Sequence, residues 1–358
     1  MKKFPIEDRT QNSYLYPGPE FRLPAEWEKH KATWFTWPRK QSISFPGIHR
    51  EIEELWIKLI RVISGDEQVR INVFDRKQYE EVEELIKERG GEINRRIFLY
   101  ENPAYEPWCR DHGPIFIKND REIAIVDFGY NAWGGKYPPY DLDDQVPQRI
   151  GAYLGMRVFS PALIVEGGAI DSNGQGVLLA SLRSIVNPNR NPEISLKSIE
   201  EIFHQFLGAD KVIWLEAEIV GDDTDGHVDQ YSRFLNTKTI AAAFEENSSD
   251  SNYKSLCENI KRLAQARDSY GKFFEIVEIP MPKPIIREGM RLPASYLNFY
   301  FTNHSLFVPV FNDSKDEKVL EILQGFFPER KIYPFPARDL VWGLGAIHCI
   351  TQQEPGWE

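Results

Sequence analysis

The sequence predicts a mixed α/β protein assembled from copies of one helix-and-strand unit. Three observations carry this. An amphipathic helical pattern, a glycine and a short β-rich run recur in that order five times. The glycines, at 90, 155, 208, 271 and 325, are 53 to 65 residues apart, too irregular for a solenoid. A chain of 358 residues with 42% hydrophobic content buries a large core, as one large domain or two ordinary ones. Helix-glycine-strand also recurs in ordinary α/β proteins, so the repeat alone leaves an open sheet as the alternative.

Each element has a local reason. Ile52, Leu55, Trp56, Leu59, Ile60 and Ile63 place one apolar stripe on a first helix. Val82, Leu85 and Ile86 lead to Gly90 and the run Ile97-Phe-Leu-Tyr100. Val146, Ile150 and Leu154 lead to Gly155 and Arg157-Val-Phe159. Ile199, Ile202, Phe203 and Phe206 lead to Gly208 and Val212-Ile-Trp-Leu215. Ile260 and Leu263 lead to Gly271 and Phe273-Phe-Glu-Ile-Val277. Val319, Ile322 and Leu323 lead to Gly325 and Lys331-Ile-Tyr333. A glycine just past a helix suits the left-handed conformation that ends it.

Composition excludes some functions. The net charge of −11 disfavours nucleic acid, which needs clustered Lys and Arg. It suits a cationic partner. No run approaches the ~20 apolar residues of a membrane span. Met1-Lys-Lys-Phe-Pro-Ile-Glu-Asp8 has no signal-peptide core, so a cytoplasmic location is expected. A homo-oligomer is compatible with the sequence, which does not specify one.

A chemically dense segment follows each unit's strand. They are Pro107-Trp108-Cys109-Arg110-Asp111-His112, Val165-Glu166-Gly-Gly168, Gly221-Asp-Asp-Thr-Asp225-Gly-His227-Val-Asp229, Ala294-Ser-Tyr-Leu-Asn298 and His348-Cys349. The three cysteines, Cys109, Cys257 and Cys349, do not form a disulfide framework. Cys349, in the loosened segment Gly343-Leu-Gly-Ala-Ile-His348-Cys349, is the candidate nucleophile; a buried apolar thiol is the plain alternative. If the five segments converge, a thiol and a histidine meet the carboxylates Asp111, Glu166 and Asp229, with Asp225 a further candidate. Such acids oppose an oxyanion and suit a delocalised cation. A guanidinium is planar and offers paired N–H donors that match carboxylates. Other readings stand beside these. Arg110 and Asp111 form a structural ion pair, or Glu166 is a solvated turn acid. Asp222-Asp-Thr-Asp225 is a calcium-loop fragment without the bidentate Glu, and the Cys/His pairs lack C-x₂-C spacing, so no metal is expected.

With these residues in view, the chain closely resembles the agmatine deiminase and bacterial-type peptidylarginine deiminase family of the guanidine-modifying pentein superfamily. The resemblance runs from Arg22-Leu-Pro-Ala-Glu-Trp27 and Trp34-Phe-Thr-Trp37-Pro38, through Trp108-Cys-Arg-Asp111-His-Gly-Pro114, Glu166-Gly-Gly168, Asn187-Pro-Asn-Arg-Asn-Pro192, Gly226-His-Val-Asp229 and Ile347-His-Cys-Ile-Thr-Gln-Gln353, to Gln352-Gln-Glu-Pro355. It implies a five-bladed α/β propeller (pentein fold) of ββαβ units around a pseudo-five-fold axis. It also implies one catalytic domain over 1–358. The implied activity is hydrolysis of agmatine to N-carbamoylputrescine and ammonia, within putrescine and polyamine biosynthesis and without cofactor or metal. The alternative substrates are peptidylarginine or another small guanidine. Cys349 resembles the nucleophile, His227 the general acid/base, Asp111 and Asp229 the guanidinium clamp, and Glu166 a carboxylate supporting substrate and histidine. Trp108 resembles a residue flanking the substrate. One departure concerns the histidine motif, Asn-Glu-His-Val-Asp-Asn in agmatine-specific members and Asp225-Gly-His-Val-Asp-Gln230 here. It leaves the chemistry untouched and the substrate tail open. Free arginine would need a basic partner for its carboxylate, with Arg110, Arg233, Arg291 and Arg338 as candidates. A non-catalytic cation-binding protein needs neither Cys349 nor His227, and an amide-cleaving cysteine hydrolase is disfavoured by the carboxylates.

Overall fold

The computed structural model describes residues 16–89, 93 and 95–357. Its strands form five small sheets and one separate hairpin rather than a continuous sheet. Four sheets share one plan: an antiparallel hairpin, a crossover helix, then a strand parallel to the second strand. Ile115–Lys118, Ile123–Val126 and Val158–Phe159 make one, with helix Val146–Leu154 in the crossover. Ile170–Ser172, Val177–Ser181 and Lys211–Leu215 make the next, around helix Leu196–Leu207. Ser232–Asn236, Thr239–Phe244 and Glu275–Pro280 follow, around Tyr253–Gln265. Tyr300–Phe301, Ser305–Val310 and Lys331–Pro336 form the last, around Asp316–Phe326.

The first sheet is completed from the far end of the chain. His30–Thr36 pairs in parallel with Gln68–Val73, which pairs with Ile97–Glu101. Its antiparallel neighbour is Gln352–Pro355, in the register His30↔Pro355 and Trp34↔Gln352. Buried Glu354 anchors this closure: it accepts from Trp34 Nε1 at 2.9 Å and pairs with Arg70 at 3.2 Å. The pairing carries Cys349, three residues upstream, to the start of the first sheet.

The helices follow their stripes. In His49–Asp66 the residues Ile52, Trp56, Leu59, Ile60 and Ile63 are all buried, as the spacing requires. Leu196–Leu207 starts at Ser195, whose Oγ accepts from the Ser198 N–H, a cap worth about 1 kcal/mol. It ends at Gly208 with φ +65°, and Gly155 ends its helix in the same way at φ +63°. The other glycines differ. Gly271 lies in a turn beyond Ala266, and Gly325 lies inside helix Asp316–Phe326. Gly90 falls outside the described residues. Glycine stops a helix only where the packed face also stops, and the stripe of Asp316–Phe326 runs one residue past Gly325.

Among the described residues, no helix is long and apolar enough to cross a membrane.

Candidate active site

The functional segments occupy equivalent places in the fold. Each lies in the short connection that enters a sheet's first strand. Asp111 belongs to the turn Cys109–His112 before Ile115–Lys118. Glu166 precedes the turn Gly167–Ala169 before Ile170–Ser172. His227 and Asp229 flank Val228 before Ser232–Asn236. Asn298 precedes Tyr300–Phe301, and Cys349 precedes Gln352–Pro355. The turn Gly167–Ala169 packs on both Cys109–His112 and Val228–Gln230.

Asp111, Glu166, His227, Asp229 and Cys349 are brought together and buried. His227 Nδ1 stands 3.6 Å from Asp111 Oδ1, and its Nε2 stands 3.8 Å from Glu166 Oε2. Cys349 Sγ lies 3.7 Å from Asp229 Oδ2 and 3.2 Å from Asn298 Nδ2. Asp111 is aimed by two donors, Trp133 Nε1 at 3.0 Å and the Gly168 N–H at 3.0 Å. Glu166 accepts from Arg190 Nε at 2.9 Å and Ser184 Oγ at 3.2 Å, so it is not a solvated turn acid. Arg110 does not pair with Asp111. It reaches Gln353 at 2.7 Å and Glu26 at 3.2 Å.

A cavity of about 220 Å³ leads to Cys349. Trp108, Asp111 and Trp133 line its inner part, with Glu106, Tyr137 and Asp223 also on the wall. His227, Glu166 and Asp229 are not among the lining residues. Asp229 Oδ1 and Gln230 Oε1 are buried acceptors without a hydrogen-bond partner. Unfilled acceptors beside a thiol suit a ligand rich in N–H donors.

Charge and burial set the protonation. Burial lowers His227, but Asp111 and then Glu166 outweigh it and raise it to about 9. Burial pushes Asp111 up to about 6 against the pull of His227. Burial would raise Glu166 too, yet His227 and Arg190 bring it down to about 2. Burial lifts the Cys349 thiol well above its ordinary value, and Asp229 and Asp111 add to this. Near neutrality the site therefore holds an imidazolium, ionised carboxylates and a protonated thiol. Cys109 is buried and pushed up to about 12, the property of an inert core thiol.

Several residues here carry no role in the sequence reading. Trp133 has no motif signal; it holds a left-handed backbone, φ +53°, between Ala132 at +51° and Gly134 at +87°. Arg190 and Glu26 sit in family-like segments without an evident task. The histidine-motif departure also lands elsewhere than expected. Gln230 Nε2 lies 3.6 Å from Sγ of Cys349, the candidate nucleophile. Gly226 holds φ +91°, and a Cβ there would stand 2.5 Å from the Ala217 carbonyl oxygen. None of the four candidate arginines lines the cavity. Arg233 pairs with Glu26 and Arg291 with Asp250, while Arg338 donates to the Phe311 carbonyl.

Known proteins resemble this chain over most of its length. A Latilactobacillus sakei protein provisionally named an agmatine deiminase is 34% identical, over 94% of this chain and 96% of its own. A solved structure of an Enterococcus faecalis agmatine deiminase is 30% identical, with TM-score 0.85, and the match covers 94% of this chain and 96% of that one. A dimethylarginine dimethylaminohydrolase structure, 14% identical over 91% of this chain and all of its own, matches with TM-score 0.50, a likeness of mixed α/β fold alone. The family described as Porphyromonas-type peptidyl-arginine deiminase matches residues 22–355, and this chain belongs to it.

Proposed function

We propose that this chain is an agmatine deiminase, hydrolysing the guanidinium of agmatine to N-carbamoylputrescine and ammonia. One observation carries the reading: the Cys349 thiol shares a cavity with Asp111 and indole walls, and among the described residues no arginine lines it. A guanidinium is drawn to Asp111 and the free Oδ1 of Asp229, and binding it offsets the carboxylate field that holds the thiol protonated. The bound cation thus favours Cys349 ionisation, the thiol proton passing to solvent. The thiolate attacks the guanidinium carbon. His227, protonated near neutrality, gives its proton to the departing nitrogen, and ammonia leaves an S-alkylthiouronium on Cys349. Neutral His227 then takes a proton from water as the oxygen attacks the same carbon. As the C–S bond breaks, the remaining hydroxyl proton passes to the sulfur, which returns the thiol and releases the ureido product, and the ammonia takes up the proton that the thiol shed. The net reaction consumes one guanidinium and one water and yields one urea and one ammonium ion. Glu166 keeps His227 basic, and Trp108 flanks the substrate.

We read the five sheets as blades of one propeller, with the site at one end of its axis. Their shared strand plan and the equivalent placement of the site segments support this. The chain is then one catalytic domain over 1–358, acting in the cytoplasm on a small cation.

Discrimination must come from the tail, because every guanidine presents the same head. Among the described residues the lining offers Glu106 and Asp223 and no arginine, and Lys136 is already paired with Asp223 at 3.2 Å, so a free arginine carboxylate loses about tenfold to hundredfold. The test is kcat/KM for agmatine, free arginine and a blocked peptidyl arginine, with ammonia and ureido product both measured. Agmatine is expected to lead. A tenfold preference for either arginine substrate would overturn the substrate assignment and leave the deiminase reading in place.

A further inference from the structure

His348 precedes the candidate nucleophile and is buried between two acids. Its Nδ1 faces Asp229 Oδ2 at 2.8 Å and its Nε2 faces Glu26 Oε2 at 2.7 Å. A neutral imidazole has one N–H, which would leave the second nitrogen's lone pair against a carboxylate. Only an imidazolium donates from both sides. The proton does not belong on Glu26. That carboxylate also meets Arg233 at 3.0 Å, Arg110 at 3.2 Å and the Phe301 N–H at 3.0 Å. Burial raises Glu26, but Arg233 and His348 outweigh it and hold it well below the usual range. The ring is further fixed from its own backbone, whose N–H donates to Asn298 Oδ1 at 3.0 Å.

We propose that His348 is a positioning residue: a fixed imidazolium, anchored by Glu26, that clamps Asp229 Oδ2 and leaves Oδ1 free for the substrate cation. The inference rests on the reading of Asp229 as a guanidinium-binding group. Three features follow from one bridge. Asp229 keeps a single rotamer. It stays ionised although it is fully buried. Its unsatisfied oxygen is Oδ1, the one His348 does not occupy. Without the bridge, Asp229 would turn or take up a proton, and either change removes an acceptor for a cation while leaving the thiol in place.

Two thiol reagents of different charge separate this role from general support of the fold. 2-Chloroacetamidine is a cationic amidine; iodoacetamide is neutral. In a folded His348→Gln variant, the ratio of their inactivation rates at Cys349 is expected to fall at least tenfold, with KM for agmatine rising by a similar factor. An unchanged ratio in a variant that melts cooperatively would overturn the proposal. Asp229→Asn is the companion. A ratio lost there but kept in His348→Gln removes the His348 role alone; a ratio kept in both removes the clamp reading beneath it. Neutron diffraction from the unaltered protein needs no variant. Hydrogen on both ring nitrogens of His348 is expected, and a bare nitrogen would overturn the proposal.

Discussion

The backbone N–H of Gly168 donates to Asp111 Oδ1, and the glycine itself fills the space where Asp111, His227 and Asp229 meet. A Cβ on Gly168 would stand 2.5 Å from His227 Nδ1, 2.8 Å from Asp111 Oδ1 and 3.1 Å from Asp229 Oδ2. Gly168→Ala is therefore expected to push these groups apart without touching the thiol. A misplacement of about 1 Å costs roughly hundredfold in rate. Steady-state kinetics alongside iodoacetamide labelling of Cys349 checks this: turnover should collapse while labelling persists. Near-normal kcat would show that the cluster tolerates the extra methyl.

The three cysteines should separate cleanly. Cys349→Ala is expected to abolish turnover. Cys109→Ser and Cys257→Ser should retain most of it, since Cys109 is a buried core thiol and Cys257 lies on helix Tyr253–Gln265. Mass spectrometry of a slowed His227 variant should trap the adduct on the peptide bearing Cys349. Measurable turnover by Cys349→Ala would sink the covalent mechanism.

The pH profile has a stated sign on each side. Asp111 must be ionised to hold a cation, so kcat/KM should fall below about 6. His227 must be protonated to release ammonia, so it should fall again above about 9. His227 is raised from its ordinary 6.5, so it contributes stability that is fully present below 6.5 and lost as pH rises through about 9. The thermal midpoint should decline over that window, less steeply in His227→Gln. A rate still rising at pH 10 would remove the acid role of His227.

Trp133→Phe deletes the indole N–H that Asp111 Oδ2 accepts. That bond favours the ionised carboxylate, so losing it should move the acid limb upward from about 6. A hydrogen bond to a charged group contributes about 1.5–3 kcal/mol, so kcat/KM at pH 7 should drop roughly tenfold or more. An unmoved acid limb would mean that the indole only walls the cavity.

The sequence by itself determined the helices, the strands that follow them and the identity of the chemical segments. Ile52, Trp56, Leu59 and Ile63 settle their own burial, because a 3.6-residue period acts within one helix. Trp108-Cys-Arg-Asp111 and His348-Cys349 are visible as unusual chemistry wherever they end up. Local pattern did not reveal the hairpins that open four of the sheets, such as Ile115–Lys118 with Ile123–Val126, whose strands are only four residues long. Tertiary structure alone decided which segments meet. Gln352–Pro355 pairs with His30–Thr36 across most of the chain, through ladder bonds and the buried Glu354, and no local propensity encodes that pairing. It turned Arg110 away from Asp111 and brought Gln230 against Cys349. It also set His348 between two acids from distant parts of the chain. Propensity is settled over a few neighbouring residues, whereas a site is made by the contacts that close long loops.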